Sequence, residues 1–509
     1  MRILLFFLLA AAALPAQTIN RKTFDRFSHY DPFDWITYAN GDDITAIDMG
    51  QTEVYFATRE GGILRYNLYD QEWQAPFTTS NGLRSNAIYR LVYEASSNQL
   101  FAQSDKGIDV YNEGFGYWTP SSRAIMPARV TVEHTSKTWA WEPYARPPLS
   151  EFSSFFIQRG YTLFEDERIL DRNHYSYQIT DRLVDFQRTL WLGTNGAGVG
   201  RANLVTSDIR FERRGPSFRR VRDAYLDGKR IWMAGGPAAP EKAAIVRYNR
   251  RKDRWSYFFS GINFNILSSE INVIDRAGNL ILFGSDRGLF GYNGKKRAWQ
   301  KFTAAPLNDD AILDIAPYGD KAFIATVNGL FLWQPGQPRA KTIGQKILRQ
   351  RAVNKIRLQG ALLYIATDQG LFTYDAEADT LSFLLERSAI PTNFTKALAI
   401  RSDSLWFANR YGVGLFDMKN DTWRSFPFDQ MNFFPHVYDM ALQDDNLWLA
   451  TDLGLLKYDT YRDYWYLYTV NDGLSSNVVY HVDVEEDVLW LSTDQGLCRF
   501  KWYDEQRYE

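Results

Sequence analysis

Ten recurrences of one short phrase, flanking apolar runs divided by glycine turns, and an aromatic content of 16% over 509 residues together predict an all-β fold, a β-propeller of four-stranded antiparallel blades. Large flat side chains suit pleated surfaces. Four short strands per repeat, with a turn signal roughly every 8–12 residues, is the pattern of propeller blades. The apolar positions do not follow a helical period, which excludes a helical solenoid.

The phrase is an aromatic or apolar pair, a small residue, then Thr, Ser or Asn. Its copies end at Thr58, Ser104, Thr194, Gly235 (a looser copy), Ser285, Thr326, Thr367, Asn409, Thr451 and Thr493. The last six ends are spaced 41, 41, 42, 42 and 42 residues apart. A short apolar run precedes each copy and forms the innermost strand, A. The phrase is strand B. A turn with glycine leads into strand C, which ends in Tyr or Phe. A tryptophan follows seven residues later in strand D, as in Tyr66 to Trp73, Tyr111 to Trp118, Tyr248 to Trp255, Tyr292 to Trp299, Phe416 to Trp423 and Tyr458 to Trp465. A constant spacing of seven implies one hairpin geometry, with the two aromatics at matching positions of paired strands.

The chain ends imply closure. The last repeat has strands A, B and C and then stops, while Trp35-Ile36-Thr37-Tyr38 precedes the first strand A and reads as an orphan D. Pairing the two would remove an exposed edge and place the first and last blades in one ring. The expected total is 10–11 blades, more than the usual four to eight. The repeats therefore form one large ring or two nested propellers, and two are favoured. The domain reading is 1–16 signal peptide, 17–118 closing strand and first two blades, 119–180 an irregular aromatic-rich segment (an insertion or a degenerate blade), and 181–509 the remaining blades.

The N-terminus carries Arg2, an apolar run from Ile3 to Leu14 and Pro15-Ala16, the layout of a secretory signal peptide. The run is shorter than the ~20 residues of a spanning helix. A periplasmic or secreted location is expected, with no transmembrane segment in the mature chain. The 58 basic and 60 acidic residues nearly cancel, so nucleic acid is not an expected partner. Cys498 is the only cysteine, which excludes an intramolecular disulfide or a cysteine cluster for zinc. The five histidines show no paired spacing, and no metal, cofactor or catalytic motif is found. His481 belongs to an innermost strand.

Two phrases, Asn81-Gly82-Leu83-Arg84-Ser85-Asn86 and Asp472-Gly473-Leu474-Ser475-Ser476-Asn477, lead into strands A. With the Leu489 to Thr493 phrase and Thr493-Asp494-Gln495-Gly496-Leu497, they resemble the two-component regulator propeller family. The likeness covers roughly 44–118 and 180–509. It implies an extracytoplasmic propeller of the kind that forms sensor halves of hybrid histidine kinases. The start, with Trp35 to Tyr38 ahead of the first blade, also resembles the propeller part of type IX secretion accessory proteins.

B–C turns and D–A links lie on the same face of a blade, and polar loops repeated there make the candidate binding face. Its residues are Asn81, Asn86, Asp105, Asp286, Asp368, Asp452, Asn471, Asn477 and Asp494. The structural alternative is that each Asp bonds the backbone two residues on while Gly takes a positive φ. Trp139, Trp141 and Tyr144 make a candidate side wall. The arginines from Arg210 to Arg222 form a basic run that either meets an anionic partner or is a solvated edge. The expected role is a non-catalytic binding or interaction module for a protein or glycan, serving a separate signalling partner. The alternatives are a type IX secretion accessory protein and a glycan-cleaving enzyme, the latter requiring two carboxylates ~5–10 Å apart in one pocket.

Overall fold

The computed structural model describes residues 19–20, 29–114, 116–130, 132, 142–236, 243–259, 270–307, 310–384 and 390–503. The signal-peptide reading and the side-wall residues Trp139 and Trp141 lie outside them.

Ten blades are present among the described residues, each an antiparallel sheet in the order A-B-C-D. Their innermost strands are Ile44–Met49, Ile88–Glu94, Ser176–Val184, Asp223–Asp227, Ile271–Ala277, Ile312–Tyr318, Val353–Gln359, Ala397–Arg401, Val437–Gln443 and Val479–Glu485. Each recurring phrase is a strand B in which apolar residues are buried on both sides, as in Asn446–Thr451 and Val488–Thr493. All six Tyr/Phe-to-Trp pairs are direct cross-strand partners between strands C and D. Seven residues between two facing positions fix the length of the C–D hairpin, so the spacing in sequence became a register in space.

Apolar contacts between neighbouring blades define the rings. Blades 4 and 5, 5 and 6, 6 and 7, 7 and 8, 8 and 9, 9 and 10, and finally 10 and 4 each share one buried cluster. Blades 4 to 10 therefore close a seven-membered ring. Trp406, Trp448 and Trp490 sit in these interfaces, 4%, 0% and 2% exposed. Strand Trp35–Tyr38 supplies the missing D of blade 10, with Trp35 opposite Phe500 and Thr37 opposite Cys498. The Trp35 and Phe500 rings stack with centroids 3.6 Å apart. Cys498 is fully buried there, and burial pushes its thiol up to about 11, so it is an apolar filler.

Blades 1 to 3 are nested between the closing strand and the ring, and the expected membership of blade 1 in the ring of blade 10 is incorrect. Blade 1 packs on blade 2 through one face and on blade 3 through the other. No apolar cluster among the described residues joins blades 2 and 3, so the three form an open arc. Described residues between 121 and 170 cover its two ends. Met126 covers the free face of blade 2, and Phe152, Phe155 and Phe156 cover blade 3 from the 3-10 turn Leu149–Phe152 and the helix Ser153–Gln158. Two short strands, Thr162–Leu163 and Arg168–Leu170, extend the blade 3 sheet. Phe152, Phe155 and Phe156 are thus packed against a blade face that would otherwise be left in water.

Arc and ring meet where two connections cross. Gly41 N–H donates to the Arg214 carbonyl at 3.0 Å. A Cβ on Gly41 would lie 2.7 Å from that oxygen, and a Cβ on Gly215 (φ +77°) would lie 2.0 Å from the Ala39 carbonyl oxygen. Only glycine allows so close a crossing. Arg214 pairs with Asp253 and lies over Trp73, while Arg213 lies over Phe259 and 3.8 Å from Asp42. This part of the basic run is an internal joint between the two units.

Candidate binding face and channel mouth

The B–C turns differ from the sequence reading in one respect. The Thr or Ser ahead of each Asp organises the turn. In blade 9, Leu453 N–H donates to Thr451 Oγ1 at 3.1 Å, and that hydroxyl donates to the Gly454 carbonyl at 2.6 Å. The same pair of bonds occurs at Ser104, Ser285, Thr326, Thr367 and Thr493. A hydroxyl can donate and accept at once, which a carboxylate cannot. Some Asp carboxylates thereby reach the neighbouring D–A link. Asp452 accepts from His436 N–H at 2.7 Å and Asp286 from Glu270 N–H at 3.3 Å. Asp105 is half exposed beside Lys106. Asp368 and Asp494 lie at the equivalent turns.

The two family-like phrases are loop organisers with matching geometry. Thr79 N–H donates to Asn86 Oδ1 at 2.8 Å, and Val470 N–H donates to Asn477 Oδ1 at 2.9 Å. Asn81 is buried, accepting from Thr78 N–H and donating to the Pro32 carbonyl, so it is structural. Asn471 is exposed. Although Asn86 and Asn477 are far apart in sequence, they line one groove of about 510 Å³ at the junction of arc and ring, with Arg59, Ser85, Arg219, Ser476 and Gln495. Tyr144 does not join them. It packs edge-on against Phe186 on the other side of blade 3 and gives its N–H to the Val184 carbonyl.

The ring channel holds a second constellation. Most innermost strands carry a bulge after their first residue. It sets one equivalent position per blade. Around the ring, from blade 4 to blade 10, these are Asp223, Val273, Asp314, Lys355, Ala397, Asp439 and His481. From Asp314 through Lys355, Asp439 and His481 to Asp223, charges of opposite sign alternate, and Val273 separates Asp223 from Asp314. Lys355 Nζ lies 3.5 Å from Asp314 and 3.0 Å from Asp439, reaching past the small Ala397. His481 Nδ1 lies 2.6 Å from Asp439 and 3.3 Å from Asp223. Arg357, one layer deeper, pairs with Asp314 and Asp439 at 3.1 and 3.3 Å. Asp223 and Asp314 also accept the Ile274 and Ile356 N–H groups of a neighbouring blade.

Burial favours the neutral His481 ring, but the Asp223 and Asp439 carboxylates outweigh it and raise the imidazole to about 9. Burial likewise pushes Asp439 up, yet the charges of Lys355, His481 and Arg357 prevail and hold it well below the ordinary carboxylate range. Asp275, in the deeper layer, is raised to about 7, chiefly by burial. The belt is therefore a set of inter-blade ties. Its carboxylates at Asp223, Asp314 and Asp439 are already engaged by cations or backbone N–H groups. Sequence reasoning did not find the belt, because a lone Asp, Lys or His per strand has no signal until the ring aligns them.

The channel cavity, of about 580 Å³, runs through the belt to the Asp275 and Arg357 layer. Arg222, Asn272, Asn354, Lys396, Tyr438 and Tyr480 line its mouth. Tyr438 and Tyr480 meet edge to face at 5.2 Å, and Arg222 lies over Tyr480 at 4.8 Å. Asn354 accepts from Lys396 Nζ at 2.9 Å. No group of three or more His, Cys, Asp or Glu side chains suited to a metal ion occurs among the described residues.

No protein-family model and no curated protein matches the chain. Solved structures do. PorZ, a surface component of the type IX secretion system of Porphyromonas gingivalis, is 11% identical over 92% of this chain and 87% of its own, with a TM-score of 0.57. The extracellular domain of a hybrid two-component system from B. thetaiotaomicron is 14% identical over 92% of this chain and 71% of its own, with a TM-score of 0.48. Virginiamycin B lyase from Staphylococcus aureus is 12% identical over 55% of this chain and 94% of its own, with a TM-score of 0.44. A two-component extracellular domain, the kind that the Asn81–Asn86 and Asp472–Asn477 phrases resemble, and a type IX secretion component, the kind that the start at Trp35 to Tyr38 resembles, are thus among the matches. The sheet order and the PorZ match show the β-propeller fold.

Proposed function

We propose that the protein is a non-catalytic, extracytoplasmic binding module that takes a hydroxyl-rich ligand, a glycan or a glycan-bearing partner, on the face carrying its B–C turns and D–A links. The observation that carries this reading is the junction groove, where Asn86 and Asn477 fix two matching loops and Ser85, Ser476, Gln495, Arg59 and Arg219 surround the opening. Polar loops on a rigid scaffold supply directional hydrogen bonds at little ordering cost. Arg219 and Tyr480 connect it to the channel mouth, since Arg222 and Asn477 are each three residues away along the same segments, roughly 10 Å of extended chain. The engagement of Asp223, Asp314 and Asp439 by cations or by N–H groups of neighbouring blades is consistent with binding rather than hydrolysis at the belt. The surface placement of PorZ accords with an extracytoplasmic location.

The test is a glycan array and partner pull-down with wild type and an Arg219→Ala, Gln495→Ala double variant. Binding by wild type that falls at least tenfold in the folded variant is expected. Equal binding by both, or cleavage of a bound glycan, overturns the proposal.

A further inference from the structure

Exposed apolar side chains stand on the ring's face of B–C turns and D–A links, Phe434, Leu453 and Val470 of blades 9 and 10 among them, but only in one sector are they set among cations. On the face of the B–C turns and D–A links, blades 6 to 8 raise Val327, Ile347, Phe394 and Tyr411, 39%, 40%, 48% and 41% exposed. Ile347 tops the link between Ile343 and Val353, and its neighbour Leu348 is fully buried beneath it. The crest is held by bonds from Ile347 and Leu348 N–H to the Gly344 carbonyl and from Gln350 N–H to the Asn328 carbonyl. An apolar tip fixed on a rigid crest is not a side chain left over from the core.

Cations surround these tips. Residues 339–351 contain Arg339, Lys341, Lys346, Arg349 and Arg351 and no acid. Lys341 pairs with Asp379. Arg339, Lys346 and Arg349 are exposed and make no ion pair among the described residues. Arg410 lies over Phe394 and Tyr411 at 6.0 and 4.7 Å. A groove of about 830 Å³ beside the crest is lined by Thr342, Gln345, Arg339 and Arg349, and by Asp310, which accepts from Asn328. The opposite sector is the reverse. On the same face, the B–C turns and D–A links of blades 9 and 10 carry Asp429, Asp452, Asp472 and Asp494 and no Lys or Arg. A negative surface would attract the first sector and repel the second, tilting the ring.

We propose that the crest of blades 6 to 8 docks on an anionic lipid bilayer, with Ile347, Phe394, Tyr411 and Val327 entering the headgroup region and Lys346, Arg349 and Arg410 meeting lipid phosphates. Apolar insertion and a basic patch together give stable surface attachment where either alone is weak. The junction groove lies on the far side of the channel mouth, at blade 10, and stays open in this orientation.

Co-sedimentation with vesicles of phosphatidylcholine, with and without phosphatidylglycerol, tests the proposal at several salt concentrations. Wild type is expected to sediment with the anionic vesicles only, and less as salt rises. Lys346→Glu with Arg349→Glu should lower partitioning at least about tenfold, each lost cation alone being worth roughly fivefold. Ile347→Ser with Phe394→Ser should weaken binding at high salt, where insertion dominates. Thermal melting confirms that each variant is folded. Absence of sedimentation at low salt, or full binding by the charge-reversed variant, overturns the proposal. So does a finding that dextran sulfate or inorganic phosphate binds equally well while the Ser variant matches wild type, which would mark a soluble-anion site. Binding to a protein partner with no affinity for vesicles overturns it too. Arg219→Ala with Gln495→Ala should leave vesicle binding unchanged, so its failure and that of the glycan reading are separable.

Discussion

Tyr458 and Trp465 face one another across strands C and D of blade 9, their rings stacked at 4.4 Å and 25°, and the Tyr458 hydroxyl donates to Asp463 in the turn between them. One pair thus sets the register, fills the blade interface and closes the turn. Tyr374 and Asp379 repeat the hydroxyl-to-turn bond in blade 7 at 2.7 Å, without the tryptophan. The stack is therefore an addition to a hairpin that the turn already specifies, which explains why blade 7 keeps its register with Leu381 opposite Tyr374.

Removing a large side chain from a blade interface should be costly. Trp448 is fully buried between blades 9 and 10. Trp448→Ala is expected to lower stability by about 3–5 kcal/mol, read by denaturant unfolding. A loss below about 1 kcal/mol would contradict the interface.

Deleting residues 17–40 removes strand Trp35–Tyr38 and uncovers the edge of Gly496–Lys501. The expected outcome is a lower melting temperature together with higher-order species in light scattering, because an unpaired edge recruits other chains. An unchanged melting temperature in a monodisperse sample would show that closure contributes nothing.

His481 makes stability depend on pH. Its folded value of about 9 lies above the ordinary 6.5, so its contribution is complete below about 6.5 and is lost as pH rises through about 9. Asp275, raised to about 7, also makes stability fall with rising pH, but between about 4 and 7. Melting temperature should therefore decline from neutral pH toward pH 9, and His481→Gln should flatten that limb while leaving the slope below pH 7. An unaltered limb in the variant would remove His481 from the account.

Gly215→Ala would place a methyl group 2.0 Å from the Ala39 carbonyl oxygen at a φ of +77°. Separation or loosening of arc and ring is expected, seen as new proteolytic cleavage near 213–222 and a lower melting temperature. Wild-type resistance to protease would mean that the crossing can relax.

Repeats with a period near 42 residues determined the blade, because each repeat alternates buried runs and turn-forming residues in a way that a four-stranded sheet accommodates. The orphan strand at Trp35 and the missing strand after Lys501 determined closure by the same logic of paired edges. Local signals could not decide which blades are neighbours. Blade 1 follows the closing strand of blade 10 in sequence yet belongs to a separate arc, since the partition into three and seven rests on which apolar faces meet. The aromatic segment before blade 3 was legible as unusual but not as a cover, because its role depends on a blade face left open elsewhere. The candidate site divides the same way. Asn86 and Asn477 were visible as repeated polar loop residues, but their shared groove exists only because arc and ring are joined at Gly41 and Gly215. Asp223, Asp314, Lys355, Asp439 and His481 stand on five strands spread over 259 positions of the chain, and only closing the ring brings their charges within ion-pair distance.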